Sequence, residues 1–509
     1  MGDTFTKSMA LLHTWAGVII GSLLFAIFWF GTLSVFGSEI DRWMLPQTRI
    51  AGAIAPLSLD RLAATAAPQV PAGARQWRID LPTSRNPVAE LTWRDAKGAE
   101  HGRFIDPNTN TLLAPQQSDA ATGFLVPFHY TLHIKWLELG KWLVGLAAMS
   151  MLVLLVSGVV VHKKIFKQFF TFRPHKRLQR SALDLHNLTG VVALPFHFMI
   201  ALSGLIIFIT IYFPQLHAGA YGENAKAKAA FMAEAYGKYT RKPAQAPGQL
   251  GSIDAMRATA AATWGGGEPY FVRVFHPGDA NSYVELRRSY ANDVTMNLDQ
   301  IFFDAQTGRV LARFEAGPVM TAQRFISGLH FIRFDHALLR WLYFAGGLAG
   351  CAMICTGFLF WIEGRRAQHA KRGLAGVRVV EGLTIGSVTG IVLATLVFMV
   401  ANRLLPTIDS HAESSALHEV QAFYGAWLAA FAHAWWRGRA AWREQAIVIG
   451  VLAVLAVALN WATTGDHLLT ALVQGQRGGA GGVGVAGVDS VLLCVALAAA
   501  YIARRLRTS

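Results

Sequence analysis

The chain carries seventeen histidines, and several stand in or beside long apolar runs. An ionisable ring in hydrocarbon is costly, so such a residue marks a functional site by default. His13 and His186 are the most informative. Each opens an apolar run in a similar string, Leu12-His13-Thr14-Trp15-Ala16-Gly17-Val18 and Leu185-His186-Asn187-Leu188-Thr189-Gly190-Val191. If the two runs pack about a two-fold axis, the rings face each other at one depth. Two opposed imidazoles at one depth suit a six-coordinate haem iron, and haem is an apolar plate that fits between helices. Zinc or copper is a poorer match, because ligands split between two membrane faces do not converge on one ion.

Three further histidines extend this pattern. His197 follows His186 on the same run at a rotation of ~20° and a rise of ~16 Å, so both rings point the same way at two depths. Gly190 and Ala193 would let a porphyrin approach the backbone there. His133 and His330 each follow a leucine just before an apolar run, and the pair could hold a haem at the opposite surface. Alternatively, His129 or His133, one helical turn apart, dips inward to meet His197. The expected ligand set is therefore His13, His186, His133, His330 and His197, with His129 and His162 as additional candidates. His336 lies near the level of His330. Hydrogen bonding is the ordinary role of a lone interfacial histidine, and it is the expectation for His369, His411, His418 and His467, with His162 sharing it. On straight helices His133 would stand about 40 Å above the far edge.

The elements that must position these residues are helices in a bilayer. Of 509 residues 53% are hydrophobic and only 15% charged, and the mean hydropathy is +0.35, oilier than a soluble domain. Disorder and collagen are excluded. Eight apolar spans can be drawn, at 10–36, 137–161, 187–213, 338–362, 380–401, 420–436, 444–462 and 487–503. The first is too long for a cleaved signal and reads as a retained anchor. A net charge of +15 sits mainly in short segments beside the spans: 162–180, 363–372, Arg437 to Arg443 and Arg504 to Arg507. That placement indicates topology rather than nucleic-acid binding. Basic short loops face the cytoplasm, which puts both termini inside and the long polar segments 37–136 and 214–337 outside. The three cysteines, Cys351, Cys355 and Cys494, all lie in apolar runs, so neither a disulfide framework nor a thiolate cluster is expected.

The two polar segments resemble each other. Arg103 to Thr109 and Ile301 to Gly308 each bring apolar residues to an Asp-x-x-Thr turn, the mark of a β-hairpin, and Leu59–Ala66 and Asp254–Thr263 read as helices packed on the strands. Each segment is expected to form a small α+β domain. The order histidine, span, outside segment, Leu-His, span occurs twice, over 1–162 and 180–365, which implies a duplicated four-span core with a pseudo-two-fold axis along the membrane normal. The expected division is 1–36, 37–136, 137–213, 214–337, 338–375 and a four-span extension at 376–509.

His13 in LLHTWAG, the stretch SGVVVHKKIFKQFFTFRPHKRLQRSALDLHNLTGVVALPFHFMIALSGL and the FFDAQTG turn resemble the PepSY-associated transmembrane family over residues 8–365. Within it the chain looks like inner-membrane ferric-siderophore reductases of the FoxB kind. The resemblance implies PepSY-like periplasmic domains in a bacterial inner membrane and two b-type haems among four spans, while the position of His197 leaves room for a third. It also implies reductive release of siderophore iron. His13 and His186 match the family's intramembrane histidines. The expected function is an electron conduit, fed by a cytoplasmic or quinol donor, that reduces ferric siderophore in the periplasm. Reduction helps because hard oxygen ligands hold Fe(III) better than Fe(II). Trp77, Trp93, Tyr270 and Phe271 are candidates for a docking surface. The alternative class is non-enzymatic: a membrane-anchored PepSY-like binding or regulatory protein in which the histidines are structural.

Overall fold

The computed structural model describes residues 2–50, 56–162, 172–174, 176–213, 215–405, 412–476 and 480–507. Most of the basic segment 162–180 and His411 lie outside the described residues. The N-terminal half opens with α1 (Gly2–Ser34) and the short α2 (Gly37–Met44), which lead to α3 (Leu59–Ala66) and strands β1 (Gln76–Asp80), β2 (Ala89–Arg94), β3 (Glu100–Asp106) and β4 (Thr111–Leu112). The chain returns through α4 (Val126–Thr131) to α5 (Leu139–Val161), α6 (Leu178–Val192) and α7 (Leu194–Ile207). After several short helices come α8 (Ile253–Thr263), β5 (Pro269–Phe275), β6 (Tyr283–Arg288), β7 (Gln300–Asp304), β8 (Val310–Phe314), α9 (Pro318–Phe331) and α10 (Ala337–Lys371). The C-terminal part holds α11 (Gly376–Leu404), α12 (Ala412–Arg437), α13 (Ala440–Thr464), α14 (Leu468–Gln476) and α15 (Ala480–Arg505).

Six of these helices are long and apolar enough to cross a bilayer: α1, α5, α10, α11, α13 and α15. The third expected span is not one rod. It consists of α6 and α7, bent by 65°, and it makes a seventh crossing if the pair is counted as one. The break has a local cause. Pro195 stands in the first turn of α7, where its missing N–H costs nothing, whereas inside a continuous helix it would remove a hydrogen bond and clash with the preceding turn. The sixth expected span falls within α12, which is not among the six.

α1 packs on α5 and α10, α6 on α10, and α7 on α5 and α9. The C-terminal helices join this group through α11, which lies against α1. Polar side chains pin that contact: the Trp29 indole donates to Thr395 (3.0 Å), and the Trp43 indole donates to Asp489 on α15 (2.7 Å). Arg49 reaches Asp466 at 2.8 Å and Asn460 at 2.8 Å. The extension thus braces the N-terminal helix that carries His13.

The two polar segments do not form separate domains. Their strands make one eight-stranded antiparallel sheet, β4-β3-β2-β1-β5-β6-β7-β8. β1 and β5 join the halves in continuous register, from Gln76 opposite Phe275 to Asp80 opposite Phe271. Each half would otherwise expose an unpaired edge, and pairing the two edges removes that liability. One core runs across the seam, with Leu59, Ile79 and Leu91 from the first half and Ile253, Val272 and Phe303 from the second. The helices α3 and α8 cap one another reciprocally. Ser58 Oγ donates to Asp254 (2.6 Å), and Ser252 Oγ donates to Asp60 (2.7 Å). Each aspartate also accepts the first backbone N–H of the opposite helix, Leu59 at 2.8 Å and Ile253 at 2.6 Å.

Both expected hairpin turns are present, between β3 and β4 and between β7 and β8. In the second, Asp304 accepts from Thr307 N and Oγ1 and forms an ion pair with Arg241 at 2.8 Å. Partial burial opposes ionisation, but the Arg241 and Thr307 hydrogen bonds outweigh it and hold the carboxyl at about 2. A depressed carboxylate contributes stability that is complete above its ordinary pKa near ~4 and is lost as pH falls through the folded value. Asp304→Asn is therefore expected to lower stability at neutral pH and to flatten the acid limb between about pH 4 and 2. Near-UV circular dichroism of the full chain against pH checks this, and parallel curves for both proteins would refute it.

Candidate functional site

His13 and His186 do meet. Their ring centroids lie 6.2 Å apart, with the planes at 83°. Each ring is fixed from behind by a helix of another segment. His13 Nδ1 lies 3.0 Å from the Leu154 carbonyl on α5, and His186 Nδ1 lies 2.8 Å from the Met353 carbonyl on α10. A carbonyl only accepts, so both Nδ1 atoms carry the proton and both Nε2 atoms keep a lone pair. This is the second-shell arrangement that orients imidazoles as metal ligands.

A second pair repeats the geometry nearer the sheet, and it is not the expected one. His330 faces His129, with centroids 5.9 Å apart and planes at 27°. His129 Nδ1 donates to the Ile27 carbonyl on α1 (2.9 Å), and His330 Nδ1 donates to the Ile200 carbonyl on α7 (3.0 Å). The expectation for His133 is corrected here. Its Nε2 is committed to the Phe124 carbonyl at 2.9 Å, and its ring stacks on Phe124 at 4.8 Å. The cause is local backbone. α4 ends at Thr131, and Leu132 and His133 adopt left-handed conformations (φ 50° and 55°). The helical spacing that would align His129 with His133 therefore stops between them.

His197 is likewise not placed as an axial ligand. It is fully buried, edge-on to Phe28 at 5.7 Å, and no second histidine ring opposes it among the described residues. Its Nε2 donates to the Gly346 carbonyl at 3.2 Å, which leaves the buried Nδ1 without a hydrogen-bond partner among the described residues. His162 caps the end of α5, its backbone N–H on the Gly158 carbonyl, and joins neither pair. His336 caps α10 through Leu339 N. Gly190 faces the Met353 sulfur rather than open space. Of the proposed docking aromatics, Trp77 and Phe271 are buried in the sheet, and Trp93 stacks on His101. Tyr270 alone reaches a cavity wall.

That cavity encloses about 690 Å³, with His129 and His330 in its wall. Ile27, Phe28 and Phe196 give it an apolar lining, while Arg85, Tyr290 and Arg333 stand at the end toward the sheet. Arg85 is bound to Glu39 at 2.8 Å. The volume lies within the ~300–1,000 Å³ range of small-molecule and cofactor pockets.

The donor set can be tested against a haem. Metal–imidazole bonds run to about 2.0 Å, a five-membered ring has a radius of about 1.15 Å, and two of each sum to about 6.3 Å between centroids. The two observed separations, 6.2 and 5.9 Å, match that sum. No three His, Cys, Asp or Glu side chains converge among the described residues. Each histidine pair can supply two ligands, and a tetrapyrrole would supply the others, with His13 and His186 or His129 and His330 holding its metal. The residues fit the group.

All four paired histidines fall within one recognisable stretch. A family model described as the PepSY-associated TM region matches residues 10–363. The chain belongs to this PepSY-associated family. An uncharacterized protein of Pseudomonas aeruginosa is 27% identical over 292 residues, 53% of this chain and 69% of that protein. The matched PepSY-associated stretch covers both histidine pairs and the whole sheet, and it stops before α11.

Sequence reasoning missed His129 as the partner of His330. The pattern that unites the four rings depends on which carbonyls accept. Each accepting carbonyl belongs to a residue four positions before a glycine: Ile27 and Gly31, Leu154 and Gly158, Ile200 and Gly204, Met353 and Gly357.

Proposed function

We propose that this protein is a transmembrane electron conduit of a bacterial inner membrane that reduces ferric chelates of the siderophore class on the sheet side. One observation carries the reading: two facing histidine pairs, each ring held through Nδ1 with Nε2 left free. Haem b at each level would supply one-electron redox chemistry. The protein's own residues hold and orient. His13 and His186 define the level far from the sheet, and His129 and His330 the level beneath it. The corresponding positions support a duplicated core: His13 precedes Ile27 by fourteen residues, as His186 precedes Ile200. Along α1 that offset is a rise of ~21 Å, half the separation implied when His133 was taken as the outer ligand. His197 is then not needed as a third haem ligand to bridge the levels.

Arg333 is exposed and has no side-chain partner among the described residues. It places a positive charge at the sheet-side end of the cavity. One electron converts one Fe(III) to Fe(II), which oxygen ligands hold less tightly. The electron comes from a quinol or a cytoplasmic reductant. The experiment is oxidation of reduced protein by ferrioxamine outside proteoliposomes with reductant sealed inside. Chelate reduction that needs the protein supports the conduit. A rate equal to empty vesicles sinks it and favours a non-enzymatic binding module.

The basic short loops support an orientation with the sheet in the periplasm. Lys97, exposed at the β2–β3 turn, gives a direct probe. Lys97→Cys, in a Cys494→Ala background, is expected to react with an impermeant maleimide in intact spheroplasts. Labelling only after lysis would reverse the orientation.

A further inference from the structure

We infer that Gly31, Gly158, Gly204 and Gly357 are positioning residues that decide which nitrogen of each paired histidine is left for a metal. The inference rests on the haem reading and deepens it. In a helix the carbonyl of residue i accepts the N–H of residue i+4, and the side chain at i+4 crowds the approach to that carbonyl from outside. A glycine at i+4 opens a slot beside the oxygen, whose second lone pair can then take a bond from another helix.

All four histidines use such a slot. A Cβ on Gly31 would lie 2.7 Å from His129 Cε1, on Gly204 2.9 Å from His330 Cε1, on Gly158 3.1 Å from His13 Cε1, and on Gly357 3.1 Å from His186 Cε1. The blocked edge is always the Cε1–Nδ1 edge, so a methyl group there would push Nδ1 off its carbonyl. Other helical glycines differ: Gly17 meets Leu154 at 3.8 Å and Gly21 meets the Phe358 ring, while Gly376 meets His369 Cε1 at 3.1 Å but His369 Nδ1 has no hydrogen-bond partner among the described residues. Gly350, whose Cβ would first meet the Phe28 ring, lies beside a histidine in a different way. It stands four residues after Gly346, and a Cβ there would lie 3.2 Å from His197 Nε2. The slot is the same but the ring is reversed, so His197 presents the wrong nitrogen.

Hydroxyls sharpen the assignment. Ser157 Oγ lies 3.1 Å from His13 Nδ1, and Ser203 Oγ lies 3.1 Å from His330 Nδ1. Each serine already donates to a carbonyl of its own helix, Val153 and Met199. Each can therefore accept from Nδ1–H. One histidine of each pair is thus held at two acceptors and its partner at one.

The test uses the full-length protein as purified, with its low-spin spectrum and its haem retention against apomyoglobin as readouts. Gly158→Ala or Gly357→Ala is expected to convert the far-side haem to high spin and to weaken its retention about 10–100-fold, the usual cost of losing a second-shell partner. The sheet-side haem should be unchanged. Gly31→Ala and Gly204→Ala should do the reverse, and Gly350→Ala should alter neither. Where an alanine variant fails to fold, Ser157→Ala and Ser203→Ala replace it. Each is expected to raise the midpoint potential of its own level only, because a ring that loses an Nδ1 acceptor donates less to ferric iron. Two low-spin haems at unchanged potential and retention in every variant would overturn the role of the glycines alone. A colourless wild-type protein would overturn the haem reading and this inference together.

Discussion

His129→Ala and His330→Ala are each expected to lower the haem content from two to one per chain and to abolish reduction of an external ferric chelate. The two rings stand 5.9 Å apart with their Nδ1 atoms held on the Ile27 and Ile200 carbonyls, so neither can hold a six-coordinate iron without the other. The fall in rate should exceed the ~10–100-fold that second-shell changes cost, because a direct ligand is removed. His133→Ala and His197→Leu are the matched controls. His133 bonds Phe124, and His197 bonds Gly346, so both variants should retain two haems. Loss of a haem in His133→Ala, with His129→Ala unaffected, would restore the pairing that the sequence alone suggested.

His13→Ala and His186→Ala should also remove one haem each, but with a different electrical result. The sheet-side pair remains intact, so a reductant added on the sheet side should still reduce it. A reductant sealed on the other side should not, because the proposed entry level would be gone. The contrast separates a break in the path from a misfolded protein. Equal reduction from both sides in these variants would mean that electrons enter without the His13–His186 level.

Much of this was readable in the residues. His13 and His186 open similar strings, and equivalent places in a repeat brought their rings together as expected. The Asp106 and Asp304 turns were legible because aspartate and threonine bond the turn backbone in a fixed pattern. What failed did so where tertiary contacts or single dihedrals decide. The period of a helix relates His129 to His133 only while the helix lasts, and left-handed Leu132 ends it. Pro195 was visible, yet hydropathy alone joined α6 and α7 into one rod. The union of the two polar segments depends on β1 meeting β5, a contact between residues almost two hundred positions apart that no local pattern encodes. Gly190 was read as room for a porphyrin, but it faces the Met353 sulfur. Four other glycines, Gly31, Gly158, Gly204 and Gly357, lie against the paired histidines, and only the identity of the accepting carbonyls reveals the pattern.

The most direct measurement is a pyridine haemochrome assay on the purified full-length protein, read with its oxidised low-spin spectrum and repeated on His13→Ala, His129→Ala and the double variant. Two haems b per wild-type chain, one in each single variant and none in the double variant are expected. A colourless wild-type protein, or haem content indifferent to all three substitutions, would contradict the assignment of these histidines.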